Sequence, residues 1–445
     1  MKGWGWLIPG LGLKRWFLLF GWGLLLFASG WAMAFEQSLV AGLEGVVHSG
    51  WQQLTGSLLP APVAGGVLTL LGLALMTGAI GAGYRSVVST LLPEAGGGIA
   101  RTLIERRQAD RGPRVVAIGG GTGLATLVRG LKQYTSNITA IVTVTDDGGS
   151  SGRLVGELGI LPPGDIRNVL VALADMEPLM ERLLQHRFRA GSLQGHAFGN
   201  LLIGALTEIL GDFEQAVRES SKVLAVRGRV LPSTNRPLRL VAELADGRRL
   251  TGETNIVAAR GRIRRLALDP PSAETLPEAL NALAEADLIV IGPGSLYTSV
   301  LPNLLIPALA EGVRKSRALK VYVVNVMTQP GETDGFSAAD HVRALLDHAG
   351  PGIVQYALVN TGGAGEARVA AYRAQGALPV RADLGAIRHL GVVPVAADVI
   401  ADGDLVRHDP ERLATALLRL LLRHGPVRAR RLFDDFWLSR RLKRR

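Results

Sequence analysis

The stretch DDGGSSGR, which begins at Asp146, concentrates residue types that could bind a phosphorylated ligand. Two adjacent carboxylates can hold Mg²⁺ beside a diphosphate, since that ion prefers few carboxylates together with phosphate oxygens. Ser150 and Ser151 offer hydroxyls, and Arg153 offers a bidentate phosphate donor. Asp146 also follows Gly123 by 23 residues, where a dinucleotide-binding fold places an acidic residue on a ribose. The stretch indicates nucleotide or phosphate binding, with a helix-capping loop as the structural alternative.

Two glycine-rich loops add a second phosphate-binding signal. The first opens a predicted helix directly after an apolar run and consists of Gly119, Gly120, Gly121, Thr122 and Gly123. The second follows another apolar run and contains Gly292, Pro293, Gly294, Ser295, Tyr297 and Thr298. Glycine allows close backbone approach, and a helix N-terminus favours phosphate. The spacing matches neither GxGxxG nor GxxxxGK[ST], which disfavours a Walker-type ATPase. Tight strand-to-helix turns without a ligand remain the alternative.

Further polar residues follow or precede predicted helices and strands. Asp165 could cap a helix beginning at VLVALAD, which would place Arg167 and Asn168 on its first turn. Asn200 stands at another helix start, and Asn325 and Thr328 follow a buried strand. The chain has no cysteine and no HExxH motif. A thiolate nucleophile and a cysteine-ligated metal are therefore excluded, and no other nucleophile is evident.

The positioning elements alternate between apolar strands and helices from Arg114 onward. Apolar runs of five to seven residues, without strict alternation, indicate strands buried on both faces. We predict a Rossmann-like, doubly wound, mostly parallel α/β sheet over 114–425. In such sheets ligands bind beyond the carboxyl ends of the strands, which is where the polar loops above stand. The strand segments are RVVAIGG, TAIVTVTDD, ADLIVIGPGS, KVYVVNVMT and IVQYALVNT.

Two uncharged runs, 16–35 and 63–84, are each long enough to span a ~30 Å hydrocarbon core. We predict a two-helix transmembrane hairpin over 1–92, followed by a linker over 93–113. Lys and Arg precede the first run and follow the second, and none lies from Trp16 to Tyr84. By the positive-inside rule, the N-terminus and the main domain are then cytoplasmic, and the protein resides in the cell membrane.

The net charge of +11 is largely a property of one end of the chain. Residues 426–445 hold eight basic and two acidic side chains. Phe433, Phe436 and Trp437 stand among them, a pattern that suits a helix on a membrane surface. The alternative is a disordered basic end. We do not expect a nucleic-acid partner, because little of the excess charge remains in the predicted domain.

Several segments together resemble the gluconeogenesis factor (YvcK) family. They are VVAIGGGTGLATLVRGLK, DDGGSSGRL, GILPPGDIRN, FGNLLIGALTEI, VLAVRGRVLPST, IGPGSLYTS and NVMTQPGETDGF. The resemblance covers Arg114 to about Asp409, and 2-phospho-L-lactate transferase (CofD) is a relative of the family. It implies a CofD-like domain that binds UDP-N-acetylglucosamine and supports cell shape and envelope synthesis on gluconeogenic carbon sources. The membrane hairpin and basic tail are additions to the simplest members.

The resemblance also implies roles for individual residues. Gly119–Gly123 and Gly292–Gly294 would line the diphosphate, and Tyr297 would contact the UDP-sugar. Asp146 and Asp147 match the carboxylates that the transferase places near its acceptor and Mg²⁺. No cofactor is required for a binding regulator, whereas Mg²⁺ belongs to the alternative, a transferase acting on a nucleotide diphosphate donor. An NAD-dependent oxidoreductase is a third alternative. A homodimer is one expected assembly.

Overall fold

The computed structural model describes residues 13–35, 49, 61–91 and 109–427. The chain divides into two compact units, Met1–Glu105 and Arg106–Arg445. Their boundary falls within the predicted linker, of which 93–108 lies outside the described residues. The predicted basic tail from residue 428 onward also lies outside them.

The first unit contains two long apolar helices, α1 (Leu13–Phe35) and α2 (Ala61–Leu91). The spans Arg15–Ala34 and Pro62–Ser86 are long and apolar enough to cross a membrane. A Cβ at Gly30 would lie 2.7 Å from the Gly65 carbonyl oxygen, and one at Gly72 would lie 2.6 Å from that of Gly23. These glycines therefore let the two backbones pack directly, as small residues do between membrane helices. α2 continues past the predicted end at Tyr84, because hydropathy marks the apolar length and not the helix end.

The second unit is built on a seven-stranded sheet with the order β10-β9-β8-β7-β1-β2-β3. Every strand pair within it is parallel, so the predicted doubly wound sheet is confirmed. β3 and β10 had no counterpart in the sequence analysis. The strands are β1 (Val115–Gly119), β2 (Ile138–Val142), β3 (Arg229–Pro232), β7 (Leu288–Ile291), β8 (Leu319–Val323), β9 (Tyr356–Asn360) and β10 (Val393–Ala397).

Helices cover both faces of this sheet. The central strands β1, β2, β7 and β8 are buried along their whole length, which explains their continuous apolar sequences. The helices are α3 (Gly121–Leu131), α4 (Gly149–Leu158), α5 (Gly164–Leu173), α6 (Pro178–Gln185), α7 (Phe198–Leu210), α8 (Phe213–Val223), α9 (Glu253–Ala258), α10 (Pro277–Glu285), α11 (Leu301–Leu304), α12 (Pro307–Lys315), α13 (Ala338–Ala349), α14 (Glu366–Arg373), α15 (Leu384–His389) and α16 (Pro410–His424).

A smaller antiparallel sheet, in the order β5-β4-β6, is inserted between β3 and β7. Its strands are β4 (Arg239–Leu244), β5 (Arg249–Thr251) and β6 (Ile263–Asp269). One face of β4 and β6 joins the hydrophobic core through Leu240, Ala242 and Leu266, among others. The other face carries arginines. This sheet was absent from the sequence-based prediction, because its strands are short and charged side chains interrupt their apolar residues.

Candidate functional site

The topology places the two glycine loops side by side. β1 pairs with β2 on one side and with β7 on the other. The strands that follow β1 in sequence, β2 and β3, extend the sheet in one direction, and those that follow β7 extend it in the opposite direction. The carboxyl ends of β1 and β7 therefore form the switch point of the sheet, where doubly wound proteins open a ligand crevice. The loops Gly119–Gly123 and Gly292–Ser295 follow these two strands and meet at the switch point.

Backbone contact between the loops explains why glycine is needed there. A Cβ at Gly123 would lie 2.5 Å from the Pro293 carbonyl oxygen and 2.8 Å from Gly294 Cα. Gly121 and Gly292 have φ angles of +60° and +73°, which side chains other than glycine rarely adopt. The predicted glycines are thus brought together as a continuous backbone surface, with the exposed Thr122 on the first turn of α3.

A carboxyl group already faces the N-terminus of α3. Asp165 accepts a hydrogen bond from the Gly121 N–H, and burial, reinforced by Asp146, raises its pKa to about 7. A Cβ at Gly120 would collide with Asp165 Oδ2, so these two residues are in direct contact. The prediction that Asp165 caps its own helix is wrong: α5 begins one residue earlier, at Gly164, with Pro163 at the cap. Asp165 instead turns toward α3.

Glu253, at the start of α9, adds a carboxyl group that the sequence analysis missed. Burial, together with the charges of Asp146, Asp165 and Glu332, raises the pKa of Glu253 to about 9. The group therefore belongs to the same electrostatic environment as the crevice. No sequence signal pointed to it, since Glu253 reaches this region only through the inserted sheet.

Asp146 and Asp147 do not act as a pair. Asp146 Oδ1 accepts from the Gly148 N–H at 2.9 Å. Asp147 Oδ1 turns away to Thr254, accepting from its N–H at 2.9 Å and its hydroxyl at 2.7 Å. Gly252 precedes α9 and has no side chain to cap it, so Asp147 supplies the cap from a distant loop. The expectation that both carboxylates face one Mg²⁺ is corrected accordingly.

Replacing Asp147 by alanine should lower the free energy of unfolding by about 1 kcal/mol, the usual value of a helix cap. Asp147→Asn should retain part of the stability that the cap contributes, because the amide oxygen still accepts a hydrogen bond. Urea unfolding of both variants measures the effect, with Asp404→Ala in an exposed loop as the control. Unchanged stability of Asp147→Ala would contradict the capping role.

The two predicted serines are buried and already hydrogen-bonded. Ser150 Oγ lies 3.2 Å from His196 Nδ1 and accepts from Asn200 Nδ2 at 3.1 Å. Ser151 Oγ accepts from the Gly164 N–H at 3.2 Å. These contacts fix α4, α5 and α7 to each other, and phosphate binding by the two hydroxyls stays a prediction. The Oδ1 atom of the buried Asn200 has no partner within the described residues.

The predicted arginines occupy different environments. Arg153 is exposed and donates to the Gln194 carbonyl at 2.8 Å. Arg167 is half-buried, donates to Asn168 Oδ1 at 2.8 Å and packs its aliphatic part against Gly199. Its Nε is buried without a partner among the described residues. Arg167 therefore has the donor capacity for an anion, whereas Arg153 lies at the margin of the site.

The second glycine loop is held by the loop after β8. Asn325 donates to the Gly294 carbonyl at 2.9 Å and accepts from its N–H at 3.2 Å. Ser295 Oγ accepts from Gln329 Nε2 at 2.6 Å. The buried Glu332 accepts from the Tyr297 and Thr298 N–H groups, and burial raises its pKa to about 7. These contacts preorganise the loop, and Asn325 acts as a support and not as a free ligand group.

Tyr297 and Thr328 are not directed as predicted. Tyr297 lies in a π-helical turn, Leu296–Val300, and its ring packs edge-on against Phe336 and His348. It lines a cavity that contains none of the glycines of the two loops. Thr328 is buried and its hydroxyl accepts from the Leu378 N–H at 2.9 Å. The spacing placed Tyr297 on the correct loop but could not determine on which side its ring would lie.

Within the described residues, no group of three or more histidine, aspartate or glutamate side chains is placed to hold a metal ion. Of the two carboxylates predicted to hold Mg²⁺, Asp146 remains near the crevice, since Asp147 is used at α9. A metal bound here would need its other ligands from phosphate oxygens and water, as Mg²⁺ commonly has.

Comparison with known proteins adds independent information. Residues 115–400 match the family described as 2-phospho-L-lactate transferase CofD. The gluconeogenesis factor of Bacillus subtilis is 51% identical over 311 residues, which are 69% of this chain and 98% of that protein. The chain belongs to the gluconeogenesis factor family. A family member from Halalkalibacterium halodurans, also called gluconeogenesis factor, is 52% identical over 68% of this chain and 95% of its own length.

Relatives of the family differ in how much of this chain they span. A relative from Nostoc sp. is 47% identical over 418 residues, 93% of this chain and 91% of its own. A crystal structure of a UPF0052-family protein from Bacillus halodurans is 50% identical and superposes with a TM-score of 0.68. It covers 69% of this chain and 99% of that one. The second unit thus corresponds to a whole protein that folds without the two apolar helices.

Proposed function

We propose that this protein is a membrane-anchored regulator that binds UDP-N-acetylglucosamine through its cytosolic domain. The observation that carries the proposal is the direct packing of Gly123 on Pro293 and Gly294 at the switch point. This junction offers backbone groups from two loops, without intervening side chains, to a diphosphate. The family name of the relatives supports a role in carbon partitioning, and control of cell shape and envelope synthesis is proposed with it.

The crevice has the electrostatics of a regulated anion site. Asp165 occupies the N-terminus of α3, and its pKa of about 7 allows it to be protonated in the cell. A neutral Asp165 can donate a hydrogen bond to phosphate, whereas the ionised form would repel it. Arg167 supplies an unused donor nearby. Diphosphate binding therefore requires no catalytic base or nucleophile at the junction.

A Mg²⁺-dependent transferase is the second candidate. The match to the CofD family and the carboxyl groups of Asp146 and Asp165 favour it, and positioning with a metal suffices for such a transfer. Incubation with a phospholactate-linked nucleotide and a deazaflavin acceptor, with Mg²⁺, tests it. Product formation that is lost in Asp146→Asn would support the transferase. No turnover in a sample that binds UDP-N-acetylglucosamine would support the regulator.

The stability of the unliganded protein should fall as pH rises. Asp165 and Glu253 have pKa values raised from about 4 to about 7 and about 9, so the folded state holds their protons more tightly than the unfolded chain. Their stabilising contribution is complete below pH 4 and is lost as pH rises through 7 and then 9. Urea unfolding at pH 5 and pH 8 measures this dependence. Asp165→Asn should reduce it, whereas the exposed Asp404→Asn should not. An equal change in the free energy of unfolding between pH 5 and pH 8 in all three proteins would contradict the raised pKa of Asp165.

The proposed membrane topology can be tested because the chain has no cysteine. Ser49→Cys should react with a membrane-impermeant maleimide in intact cells, since the loop between the spans is proposed to be external. Ser192→Cys, on the exposed surface of the second unit, should react only after lysis. Labelling of both positions, or of Ser192→Cys alone, in intact cells would contradict the topology.

A further inference from the structure

Helix α7 presents an apolar face at the surface of the second unit. Of its 13 residues, Glu208 is the only charged one. Its inward side packs against α4, α5, α6 and α8. The outward side carries Leu201, Ala205 and Ile209, which follow one another at intervals of four residues and therefore form one row. Ala205 is exposed, Ile209 is 76% exposed and Leu201 is half-buried.

The apolar face continues onto two neighbouring helices. Leu158, the last residue of α4, lies beside α7, since a Cβ at Gly204 would be 3.4 Å from its Cδ1 atom, and it remains exposed. α6, which contacts α7, exposes Leu179, Met180 and Leu183. Large apolar side chains exposed next to one another mark an interaction site, whereas single ones are ordinary. This surface, called the α7 face below, therefore has the character of an interface.

The row on α7 is complementary in shape to a second copy of itself. Ala205 is a small side chain between the larger Leu201 and Ile209. When two such rows run antiparallel about a two-fold axis, the large side chains of each copy fit beside the Ala205 of the other. Rows of side chains four residues apart commonly interdigitate in this way between packed helices. A two-fold interface requires such a self-complementary surface.

The charges at the two ends of α7 also favour antiparallel pairing. Glu208 is exposed on the last turn and forms no ion pair with a described residue. Just before the helix begins, the exposed Arg153 and Arg187 donate to the Gln194 and Gly195 carbonyl oxygens, and neither forms an ion pair within the described part of the chain. Antiparallel pairing directs the Glu208 of each copy towards the arginines of the other. An anionic lipid surface would instead repel Glu208.

We propose that the second unit forms a two-fold symmetric homodimer in which the α7 helices of two copies pack antiparallel across Ala205. Leu201 and Ile209 form the centre of the interface, and the exposed apolar side chains of α4 and α6 extend it. Glu208 pairs with an arginine of the other copy at each end. The proposal requires no bound ligand, so its test does not depend on the proposed function.

Sedimentation velocity of the second unit over a series of protein concentrations tests the proposal. We expect a dimer whose dissociation constant rises by about tenfold or more in Ala205→Glu, because the two new carboxylates face each other across the axis. The matched control is Ala370→Glu, at an exposed position of α14, which should leave the dimer unchanged. Glu208→Arg should weaken the dimer, and combining it with Arg187→Glu should restore part of the affinity. Circular dichroism verifies that each variant is folded.

Since the chain has no cysteine, a single introduced cysteine reports the geometry in the full chain. Ala205→Cys should form a disulfide-linked dimer on oxidation of isolated membranes, because a disulfide requires Cα atoms within about 7 Å. Ala370→Cys should not. A monomer at all concentrations, or a dimer equally stable in Ala205→Glu and Ala370→Glu, would overturn the proposal. A monomer that floats with phosphatidylglycerol vesicles, and no longer does so as Ala205→Glu, would instead identify the α7 face as a lipid-binding surface.

Discussion

Replacing Gly123 by alanine should raise the dissociation constant for UDP-N-acetylglucosamine about 100-fold, a loss of about 2.7 kcal/mol. The added Cβ would lie 2.5 Å from the Pro293 carbonyl oxygen. Both groups are fixed by their loops, so the two glycine loops must separate and the backbone surface proposed for the diphosphate is lost. Calorimetric titration of the purified variant measures the change.

Gly156→Ala is the matched control for this substitution. Gly156 lies in α4, and a Cβ there would meet no atom within 4 Å. Its affinity for the UDP-sugar should equal that of the wild type. Wild-type affinity in a folded Gly123→Ala protein would mean that the ligand does not use the junction of the two loops.

Replacing Gly130 by alanine should lower the free energy of unfolding by about 2–3 kcal/mol, the cost of overpacking a core. Gly130 lies in α3 where α16 begins, and a Cβ there would collide with the Pro410 carbonyl group. In an unobstructed helix the same change is stabilising by up to about 1 kcal/mol. Urea unfolding therefore distinguishes an obstructed position from an unobstructed one by the sign of the change in the free energy of unfolding.

Gly156→Ala again provides the comparison, because it makes the same chemical change in a helix with free space. It should be slightly more stable than the wild type. An increase in stability for Gly130→Ala as well would show that α16 does not pack against α3 as described. Since the Gly130 site is remote from the crevice, UDP-sugar affinity of the folded variant should not change.

The sequence was most informative about the strands at the centre of the sheet. Continuous apolar runs and the glycines that end them identified β1, β2, β7, β8 and β9 and their ligand-side loops. The same reasoning brought Gly123 and Gly294 to one edge, because parallel strands end at the same edge. It missed β10, which is only half-buried and carries fewer large apolar side chains.

Contacts between distant segments could not be predicted from the sequence. Asp147 looks like a metal ligand beside Asp146, but a missing cap on α9, more than 100 residues later, takes its carboxylate. Glu253 has no motif around it and gains its raised pKa only where the inserted sheet meets the core. Tyr297 lies on a predicted ligand loop, yet the π-helical turn carries its ring to the other side. Each of these depends on tertiary packing that residue types and spacing do not encode locally.

The most direct test of the proposed function is a calorimetric titration of the second unit, from Arg106 onward, with UDP-N-acetylglucosamine and with GDP. A relative that spans only this unit has been crystallised as a whole chain, which supports its folding alone. Each nucleotide is titrated with and without Mg²⁺. We predict saturable, Mg²⁺-independent binding of the UDP-sugar and no comparable binding of GDP. Mg²⁺-dependent binding of GDP, with no heat from UDP-N-acetylglucosamine, would contradict the regulator and favour the transferase.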